Sequence, residues 1–344
     1  MKLGIIGLPQ CGKTTIFEAL THNYTESAHK GESRIGTIKV PDQRVDRLSQ
    51  MYSPKKTIYA QVEYFLPAMQ GQGPDKSKEQ SIWNQVRDSD ALIHVVRNFG
   101  GYGFEAPDIQ QDFDKLDQEL IINDLVVAEK RLERLELDQK RGKKANPEEL
   151  GLLQQCHELL EKEIPLRKNP ELANAHLLRG YAFLTAKPAL VLMNNEDEDD
   201  QMPDLPESIA GEQCVVIRGK LEQELGQMEA EEAQAFLDEF NIAASAMDLI
   251  ITRSYDLLGL ISFFTVGEDE VRAWTINKET VAVDAADVIH SDMKKGFIRA
   301  EVLAYDDLMA AGTFAEARKK GTVRLEGKTY LVQDGDIISF RFNV

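Results

Sequence analysis

The chain reads Gly7-Leu8-Pro9-Gln10-Cys11-Gly12-Lys13-Thr14 near its beginning, and this stretch matches the phosphate-loop pattern G-x-x-x-x-G-K-S/T. The apolar residues 1–6 predict a buried strand before it, and residues 15–20 predict the start of a helix after it. A strand, a glycine loop and a helix in that order point backbone N–H groups and the positive helix end at an anion. The sequence therefore predicts an α/β fold with a nucleotide-binding loop.

Several residues of this loop have expected roles. We expect Lys13 to reach the β- and γ-phosphates of a nucleotide and Thr14 to hold Mg²⁺. Cys11 lies at the start of the helix, where a thiol pKa tends to fall, so it is either a redox-sensitive group or a small side chain that fills the loop. The candidate phosphate-binding residues are Gly7, Pro9, Gln10, Cys11, Gly12, Lys13, Thr14 and Thr15.

The charge balance limits the kinds of partner that the chain can bind. Its 344 residues include 40 Lys and Arg against 58 Asp and Glu, which gives a formal net charge of −18. Bulk electrostatics therefore oppose binding to nucleic acid, and we expect no DNA partner. A contact with a ribosome or with ribosomal RNA would need a local basic patch.

The sequence also argues against several classes of protein. Cys11, Cys156 and Cys214 are too widely spaced for a disulfide framework or a zinc site. The sequence contains no recognisable signal peptide and no apolar run of transmembrane length. We therefore expect a cytoplasmic protein that has no membrane partner.

Continuous apolar runs recur after the phosphate loop, at residues 62–66, 91–96, 189–193 and 214–217. Such runs, separated by helical stretches, predict a parallel sheet that is covered on both faces. His94 lies within the second run, which favours a histidine that belongs to the core.

The stretch from about 112 to 180 has helical periodicity instead. Helical spacing stops at a basic turn and resumes over residues 152–164, which predicts a helical hairpin inserted into the α/β domain. The tip of the hairpin, Lys140-Arg141-Gly142-Lys143-Lys144, is either a solvated turn or a contact for RNA or an acidic partner. The heptad seam of the first helix consists of Ile121, Leu125, Ala128, Leu132 and Leu135.

The last 80 or so residues have a different pattern again, with strand-like runs at residues 280–283, 297–302, 323–325 and 337–342. Asp334-Gly335-Asp336 is typical of a turn. These residues predict a separate small α+β domain.

The most specific motifs lie in this C-terminal part. They include Phe263-Phe264-Thr265, Glu270-Val271-Arg272-Ala273-Trp274-Thr275, Gly296-Phe297-Ile298-Arg299-Ala300-Glu301-Val302 and Phe340-Arg341-Phe342-Asn343-Val344. Further matches are Val40-Pro41-Asp42-x-Arg44, His94-Val95-Val96-Arg97 and Leu184-Thr185-Ala186-Lys187-Pro188. With these motifs the chain resembles the Obg-like ATPase family of YchF type, a branch of the translation-factor-related P-loop GTPases.

The resemblance implies three domains. These are a Ras-like P-loop NTPase domain (residues 1–110 and 182–262), an inserted helical hairpin (111–181) and a C-terminal ubiquitin-like β-grasp (TGS) domain (263–344). It also implies ATP or GTP binding, slow hydrolysis and association with ribosomes. The basic candidates for a ribosome contact in the C-terminal domain are Lys294, Lys295, Arg318, Lys319 and Lys320.

Two family elements are altered in this chain. The family's D-x-x-G motif follows a strand that matches Val62 to Phe65, but Leu66 and Met69 stand where its Asp and Gly belong. The Asp normally orients Mg²⁺ and the Gly contacts the γ-phosphate, so hydrolysis is expected to be slow or impaired. The first switch, Thr25 to Gly36, lacks the family's Thr-Ile pair, and Thr25 or Thr37 is its candidate substitute. The alternative is a remodelled loop that has been misaligned.

The base-reading motif is degenerate. Asn194-Asn195-Glu196-Asp197 puts Asn194 and Asp197 in the two specificity positions. An Asp there favours guanine, whereas the family favours adenine, and Glu196 is an alternative reader; a merely solvated acidic run is a further alternative. Arg218, Gly219 and Lys220 stand at the third base loop, where Lys220 would stack on the base.

Two functional hypotheses follow. The first is a YchF-like protein that binds a purine nucleotide, associates with ribosomes and hydrolyses slowly at most. The second is a non-enzymatic adaptor, in which the nucleotide-binding domain is a structural remnant and the TGS domain and the hairpin bind a ribosome or RNA partner.

Overall fold

The computed structural model of the chain describes residues 1–24, 32–68, 82–101, 105–142, 146–239, 242 and 245–343. These residues form two compact units. The first unit combines residues 1–37 with residues 63–250, and the second combines residues 38–62 with residues 251–344. None of the helices in the described ranges is both long and apolar enough to span a membrane.

The described strands form two six-stranded sheets, one mainly in each unit. In chain order the strands are β1 (Lys2–Ile6), β2 (Arg34–Lys39), β3 (Lys56–Ile58), β4 (Gln61–Leu66), β5 (Ala91–Asn98), β6 (Ala189–Asn195), β7 (Gln213–Ile217), β8 (Leu260–Val266), β9 (Glu270–Asn277), β10 (Phe297–Ala304), β11 (Arg324–Glu326) and β12 (Asp336–Phe342).

The α-helices connect these strands. They are α1 (Lys13–Thr21), α2 (Gln43–Tyr52), α3 (Ile109–Lys140), α4 (Pro147–Glu161), α5 (Pro170–Ala173), α6 (Gly219–Leu225), α7 (Ala230–Glu239), α8 (Met247–Leu257), α9 (Ala282–Ile289), α10 (Ser291–Lys295), α11 (Tyr305–Ala311) and α12 (Phe314–Lys320).

The sheet of the first unit has the strand order β2-β4-β1-β5-β6-β7. β1 pairs with β4 and β5 in parallel, and β6 pairs in parallel with β5 and β7. All four predicted apolar runs are strands of this sheet, so this part of the prediction is confirmed. Because parallel strands end at the same edge of a sheet, the loops after β1, β5 and β6 meet at one edge.

The helices α3 and α4 form their own core within the first unit. Ile121, Ala128 and Leu135 of α3 are buried together with Leu153, Cys156 and Leu160 of α4, and the seam residues Leu125 and Leu132 pack against them. Both helices begin at a side-chain cap, since Asp108 accepts from the N–H of Gln111 and Asn146 accepts from the N–H of Glu148.

The sheet of the second unit is mixed and has the order β11-β10-β12-β8-β9-β3. β8 and β9 form an antiparallel hairpin, β12 runs parallel to β8, and β10 pairs antiparallel with β12 and β11. Ala282, Ala285 and Ala286 of α9 are fully buried in the core on one side of this sheet. Their small side chains allow the helix to approach the strands closely.

Residues 38–62, which the sequence assigns to the first domain, group with residues 251–344 in the second unit. β3 pairs in parallel with β9, and Arg44 of α2 donates to Asp334 at 2.7 Å and to Asp42 at 2.9 Å. The guanidinium of Arg44 also lies 5.1 Å from the ring centre of Phe264. The two units found from contacts therefore differ from the domain bounds predicted from the sequence. The division into three domains stays a prediction.

The predicted strand at residues 280–283 is wrong. Helix α9 begins at Ala282, and Val281 makes only an isolated bridge to Leu331. The run is locally apolar and β-branched, but the alanines at helical spacing behind it provide the face that packs on the sheet. Tertiary packing overrides local strand propensity here.

Candidate nucleotide site

The loop after β1 requires glycine at two positions. Gly7 has φ 155° and Gly12 has φ 97°, both in the region that side chains disfavour. A Cβ on Gly7 would lie 2.6 Å from the carbonyl oxygen of Val95, and one on Gly12 would lie 2.2 Å from Nδ2 of Asn194. The pattern's two glycines therefore reflect close backbone approach as well as conformation.

Lys13 begins helix α1 and folds back over the loop. Its ammonium donates to the carbonyl oxygens of Gly7 at 2.8 Å and Leu8 at 2.6 Å, and only 8% of the residue is exposed. Helix α1 has no side-chain cap, and the first N–H groups of any helix lack partners inside that helix. The start of α1 thus places the Lys13 ammonium beside amide donors that have no side-chain cap, which is the chemistry of an anion site.

The remaining loop candidates surround this helix end. Thr14 and Thr15 are partly buried in its first turn. Pro9 and Gln10 are exposed at the loop surface, and Gln10 adopts a left-handed φ of 65°.

The burial of Cys11 bears on the two interpretations that its position allows. It is 2% exposed, and desolvation by burial raises the pKa of its thiol despite the nearby Lys13 ammonium. A buried thiol with a raised pKa carries little thiolate, so burial outweighs the lowering that a helix N-terminus tends to produce. The structure favours a small side chain that fills the loop.

Asn194 joins three of the predicted segments. Its Nδ2 donates to the carbonyl oxygen of Cys11 at 3.0 Å, and its Oδ1 accepts from the N–H of Gly219 at 2.9 Å. The side chain is 4% exposed at the end of β6. The structure thus brings the phosphate loop, the base-reading motif and the third base loop together around one amide.

Asp197 and Glu196 point to different neighbours. Oδ1 of Asp197 accepts from the N–H of Leu221 in α6 at 3.1 Å, and its Oδ2 lies 3.7 Å from the ammonium of Lys220. Oε1 of Glu196 accepts from the N–H of Gly100 at 2.7 Å. Asp197 therefore lies beside the third base loop, where Arg218 precedes α6, whereas Glu196 lies against the loop after β5.

Sequence reasoning missed a pair of asparagines at the same edge. Asn98 and Asn195 are register partners at the ends of β5 and β6, and Nδ2 of Asn98 donates to Oδ1 of Asn195 at 2.9 Å. Asn195 in turn donates to the carbonyl oxygens of Asp199 and Gln201 at 3.1 and 2.8 Å, which fixes the acidic loop. An Asn at the end of each of two neighbouring parallel strands was the available signal.

The end of β4 carries no carboxylate. β4 lies beside β1, and it ends in Leu66, which is 4% exposed, followed by the buried Pro67. Thr37 is exposed within β2, while Thr25 and Met69 lie outside the described residues. Among the residues that the structure describes, no group of three His, Cys, Asp or Glu side chains could hold a metal ion. The assignment of Thr14 to Mg²⁺ stays a prediction.

His94 lies in β5 next to β1 and is 4% exposed. Its ring stacks on Phe113 of α3 at a centroid distance of 4.9 Å. Desolvation by burial, helped by the charges of Arg167 and Lys13, lowers the pKa of His94 to about 3 from an ordinary value of 6.5. The imidazole is therefore a neutral core group, in agreement with the sequence interpretation.

This neutral histidine predicts a loss of stability in acid. Between about pH 6.5 and pH 3 the unfolded chain binds a proton at His94 that the folded chain excludes. The stabilisation is therefore complete above pH 6.5 and is lost as the pH falls, by about 2 kcal/mol at about pH 5. Denaturant unfolding of the wild type and of His94→Gln across this range checks it. The difference between the two should shrink or reverse in acid, and a constant difference would contradict a buried neutral imidazole.

Comparisons with known proteins agree with this geometry. The family model YchF-GTPase_C, described as a protein of unknown function (DUF933), matches residues 260–343. The chain is 38% identical to the protein named Ribosome-binding ATPase YchF from Bacillus subtilis, over 99% of both chains. It is 36% identical to the protein of the same name from Haemophilus ducreyi, over 100% of this chain and 99% of that one.

A solved structure gives the same result in three dimensions. The YchF GTPase of Schizosaccharomyces pombe superposes with a TM-score of 0.84 at 30% identity and covers 99% of this chain and 97% of its own. Identity at this level over nearly the whole of both chains shows common descent and a common fold. The chain therefore belongs to the YchF family.

Proposed function

We propose that this protein binds a purine nucleoside triphosphate in the loop between β1 and α1 and associates with the ribosome. The observation that carries the nucleotide part is the amide of Asn194, which holds the loop carbonyl of Cys11 and the N–H of Gly219 at once. Lys13 and the amides of residues 12–15 hold the phosphates in this proposal. Asn194, Asp197 and the turn of Arg218, Gly219 and Lys220 surround the base. Titration with ATP and with GTP is the direct test.

Mg²⁺ would enter this site with the nucleotide. In the proposal the Thr14 hydroxyl is its protein ligand, and the ion neutralises phosphate charge. The family motif places an Asp where this chain has Leu66, and the described residues that end β4, Leu66 and Pro67, offer no carboxylate as an outer-sphere anchor for the ion. The chain should therefore bind nucleotide much better than it hydrolyses it.

The Thr14 assignment predicts a specific dependence on Mg²⁺. The wild type should bind ATP more tightly with Mg²⁺ than with EDTA, and Thr14→Ser, which keeps the hydroxyl, should preserve most of that gain. Thr14→Ala should remove it. Turnover of the wild type should stay below about 1 s⁻¹, the lower end of the usual range for enzymes. Equal Mg²⁺ gains in all three proteins, or fast turnover, would mean that another residue holds the ion.

Base choice depends on which carboxylate reads the base. If Asp197 does, GTP should bind at least as well as ATP, because a carboxylate accepts from the N1–H and N2–H₂ groups of guanine. Asp197→Asn should then remove that preference, while Glu196→Gln leaves it. If Glu196 reads the base instead, Glu196→Gln should change the ATP-to-GTP ratio and Asp197→Asn should leave it unchanged. Titration of both variants with both nucleotides checks this, and an ATP-to-GTP ratio that neither variant changes would show that the base is unread.

The ribosome part of the proposal draws on relatives. Those from Bacillus subtilis and Haemophilus ducreyi are both named ribosome-binding ATPases. The strand order β11-β10-β12-β8-β9 with helix α9 on one face supports a ubiquitin-like β-grasp, or TGS, domain. The shared core of α3 and α4 supports an inserted helical hairpin between the two parts of the nucleotide-binding domain. Co-sedimentation with purified ribosomes tests this part.

The adaptor hypothesis stays as the alternative, and the loss of a carboxylate at the end of β4 favours it. An adaptor would sediment with ribosomes without measurable affinity for ATP or GTP, with or without Mg²⁺. The nucleotide titration therefore separates the two.

A further inference from the structure

Three of the five basic C-terminal residues that the sequence suggested for a ribosome contact are lysines paired with carboxylates of the second unit. In the predicted hairpin tip, Lys143 and Lys144 lie outside the described residues. Lys294 contacts Asp284 and Asp287 at 3.0 Å each, Lys295 contacts Asp292 at 3.4 Å, and Lys319 contacts Glu316 at 2.7 Å. Each of these ammonium groups shares its charge with a carboxylate on or near its own helix. They are therefore weak candidates for holding a polyanion.

A surplus of positive charge lies elsewhere, on the sheet. Arg299 of β10 and Arg341 of β12 are register partners in an antiparallel pair, so their side chains stand next to each other on one face. Both are exposed. Like charges directly opposite each other destabilise a sheet, and of these two arginines Arg341 has a carboxylate partner among the described residues, Glu301.

Two residues along β10 from Arg299, on the same face, one carboxylate is shared by two guanidinium groups. Glu301, 8% exposed, accepts from Arg318 of α12 at 2.5 Å through Oε1 and lies 3.4 Å from Arg341 through Oε2. Glu301 pairs across the sheet with Ser339, which is exposed and carries a hydroxyl donor. Three arginines against one glutamate leave this face with a local charge of +2 on a chain of −18.

We propose that this arginine face, defined as Arg299, Arg318 and Arg341, binds the phosphate backbone of ribosomal RNA. The inference rests on the ribosome association proposed above and names the surface responsible. Guanidinium groups match phosphate oxygens with paired hydrogen bonds, and Glu301 holds two of the three in place. Two apolar side chains adjoin the face: Leu325, which is the register partner of Glu301 on β11, and the half-buried Phe314, whose ring centre lies 5.6 Å from the guanidinium of Arg318. Protein–protein interfaces usually have an apolar core, whereas an RNA backbone is bound mainly by positive charge and hydrogen-bond donors.

The test uses the full chain and two matched double variants. Arg299→Gln with Arg341→Gln removes two charges from the face and leaves Glu301 paired with Arg318. Lys294→Gln with Lys295→Gln removes the same charge from paired lysines of the same unit. Binding to purified ribosomes and to protein-free ribosomal RNA is measured over a KCl series, with ATP affinity and thermal unfolding as checks on the rest of the molecule.

The arginine variant should lose affinity for both probes by about tenfold or more, and its slope of log affinity against log salt should flatten by about 1.4–1.8 for two phosphate contacts. The lysine variant should keep most of the affinity and slope. If both variants lost affinity equally, the effect would come from net charge alone, and the proposal would be overturned. Arginine-dependent binding to ribosomes but not to free RNA would identify a ribosomal protein as partner and also overturn it. If the wild type binds free RNA through these arginines but not ribosomes, only the ribosome association fails.

Discussion

Replacing Asn194 by alanine is expected to weaken ATP and GTP binding by at least about tenfold and to destabilise the first unit by about 2–4 kcal/mol. The truncation leaves the carbonyl oxygen of Cys11 and the N–H of Gly219 without their partner in a buried place. Each unsatisfied buried group costs about 1–3 kcal/mol. Because the same amide connects the phosphate loop to α6, the stability of the first unit and its nucleotide affinity should fall together.

A matched control exists at the same sheet edge. Asn98→Ala removes an amide that donates to Asn195, whereas the amide of Asn194 bonds to the loop and to α6. It should cost about 1 kcal/mol of stability and leave most of the nucleotide affinity. If Asn194→Ala binds nucleotide as tightly as Asn98→Ala does, Asn194 does not organise the site.

The larger loss of stability is expected at Asp124. This side chain of α3 is fully buried and accepts hydrogen bonds from the N–H of Leu184, the N–H and hydroxyl of Thr185, and Arg87 at 2.7–3.0 Å. It ties α3 to the segment that leads into β6. Asp124→Ala leaves these donors without their acceptor. Breaking a buried charge pair in this way costs about 3–5 kcal/mol of stability.

The two tryptophans make this measurement specific, because Trp83 belongs to the first unit and Trp274 to the second. In a Trp274→Phe background, denaturant unfolding monitored by Trp83 fluorescence reports the first unit. Glu133→Ala, which removes an exposed carboxylate from the same helix, should stay within about 0.5 kcal/mol of the parent. Similar unfolding midpoints for Asp124→Ala and Glu133→Ala would mean that the buried network is not needed.

The sequence was most informative where the signal was local. The glycine loop, the apolar runs of β4 to β7 and the seam of α3 depend on residues close together in the chain, and each has the expected structure. The resemblance to the YchF family came from equally contiguous motifs, and full-length relatives confirm it.

The structural features that could not be predicted from the sequence depend on residues far apart in the chain. Arg44 and Asp334 are 290 positions apart, so no local pattern connects residues 38–62 to the C-terminal sheet. The thiol pKa of Cys11 depends on burial, which the helix N-terminus alone does not reveal. The pairing of Lys294 with two aspartates and the placement of Arg299 beside Arg341 likewise emerged only from helix packing and strand register.

The central claim is that the loop between β1 and α1 holds a nucleotide, and a calorimetric titration with MgATP and MgGTP tests it most directly. The measurement compares the wild type with Lys13→Ala and with Lys13→Met, which keeps the buried stem of the side chain but removes its ammonium. We predict binding by the wild type and a loss of about 1.5–3 kcal/mol, at least about tenfold in affinity, in both variants. Trp83 fluorescence during unfolding shows whether the first unit stays folded. No binding by the wild type, or unchanged affinity in a folded Lys13→Met protein, would contradict the account.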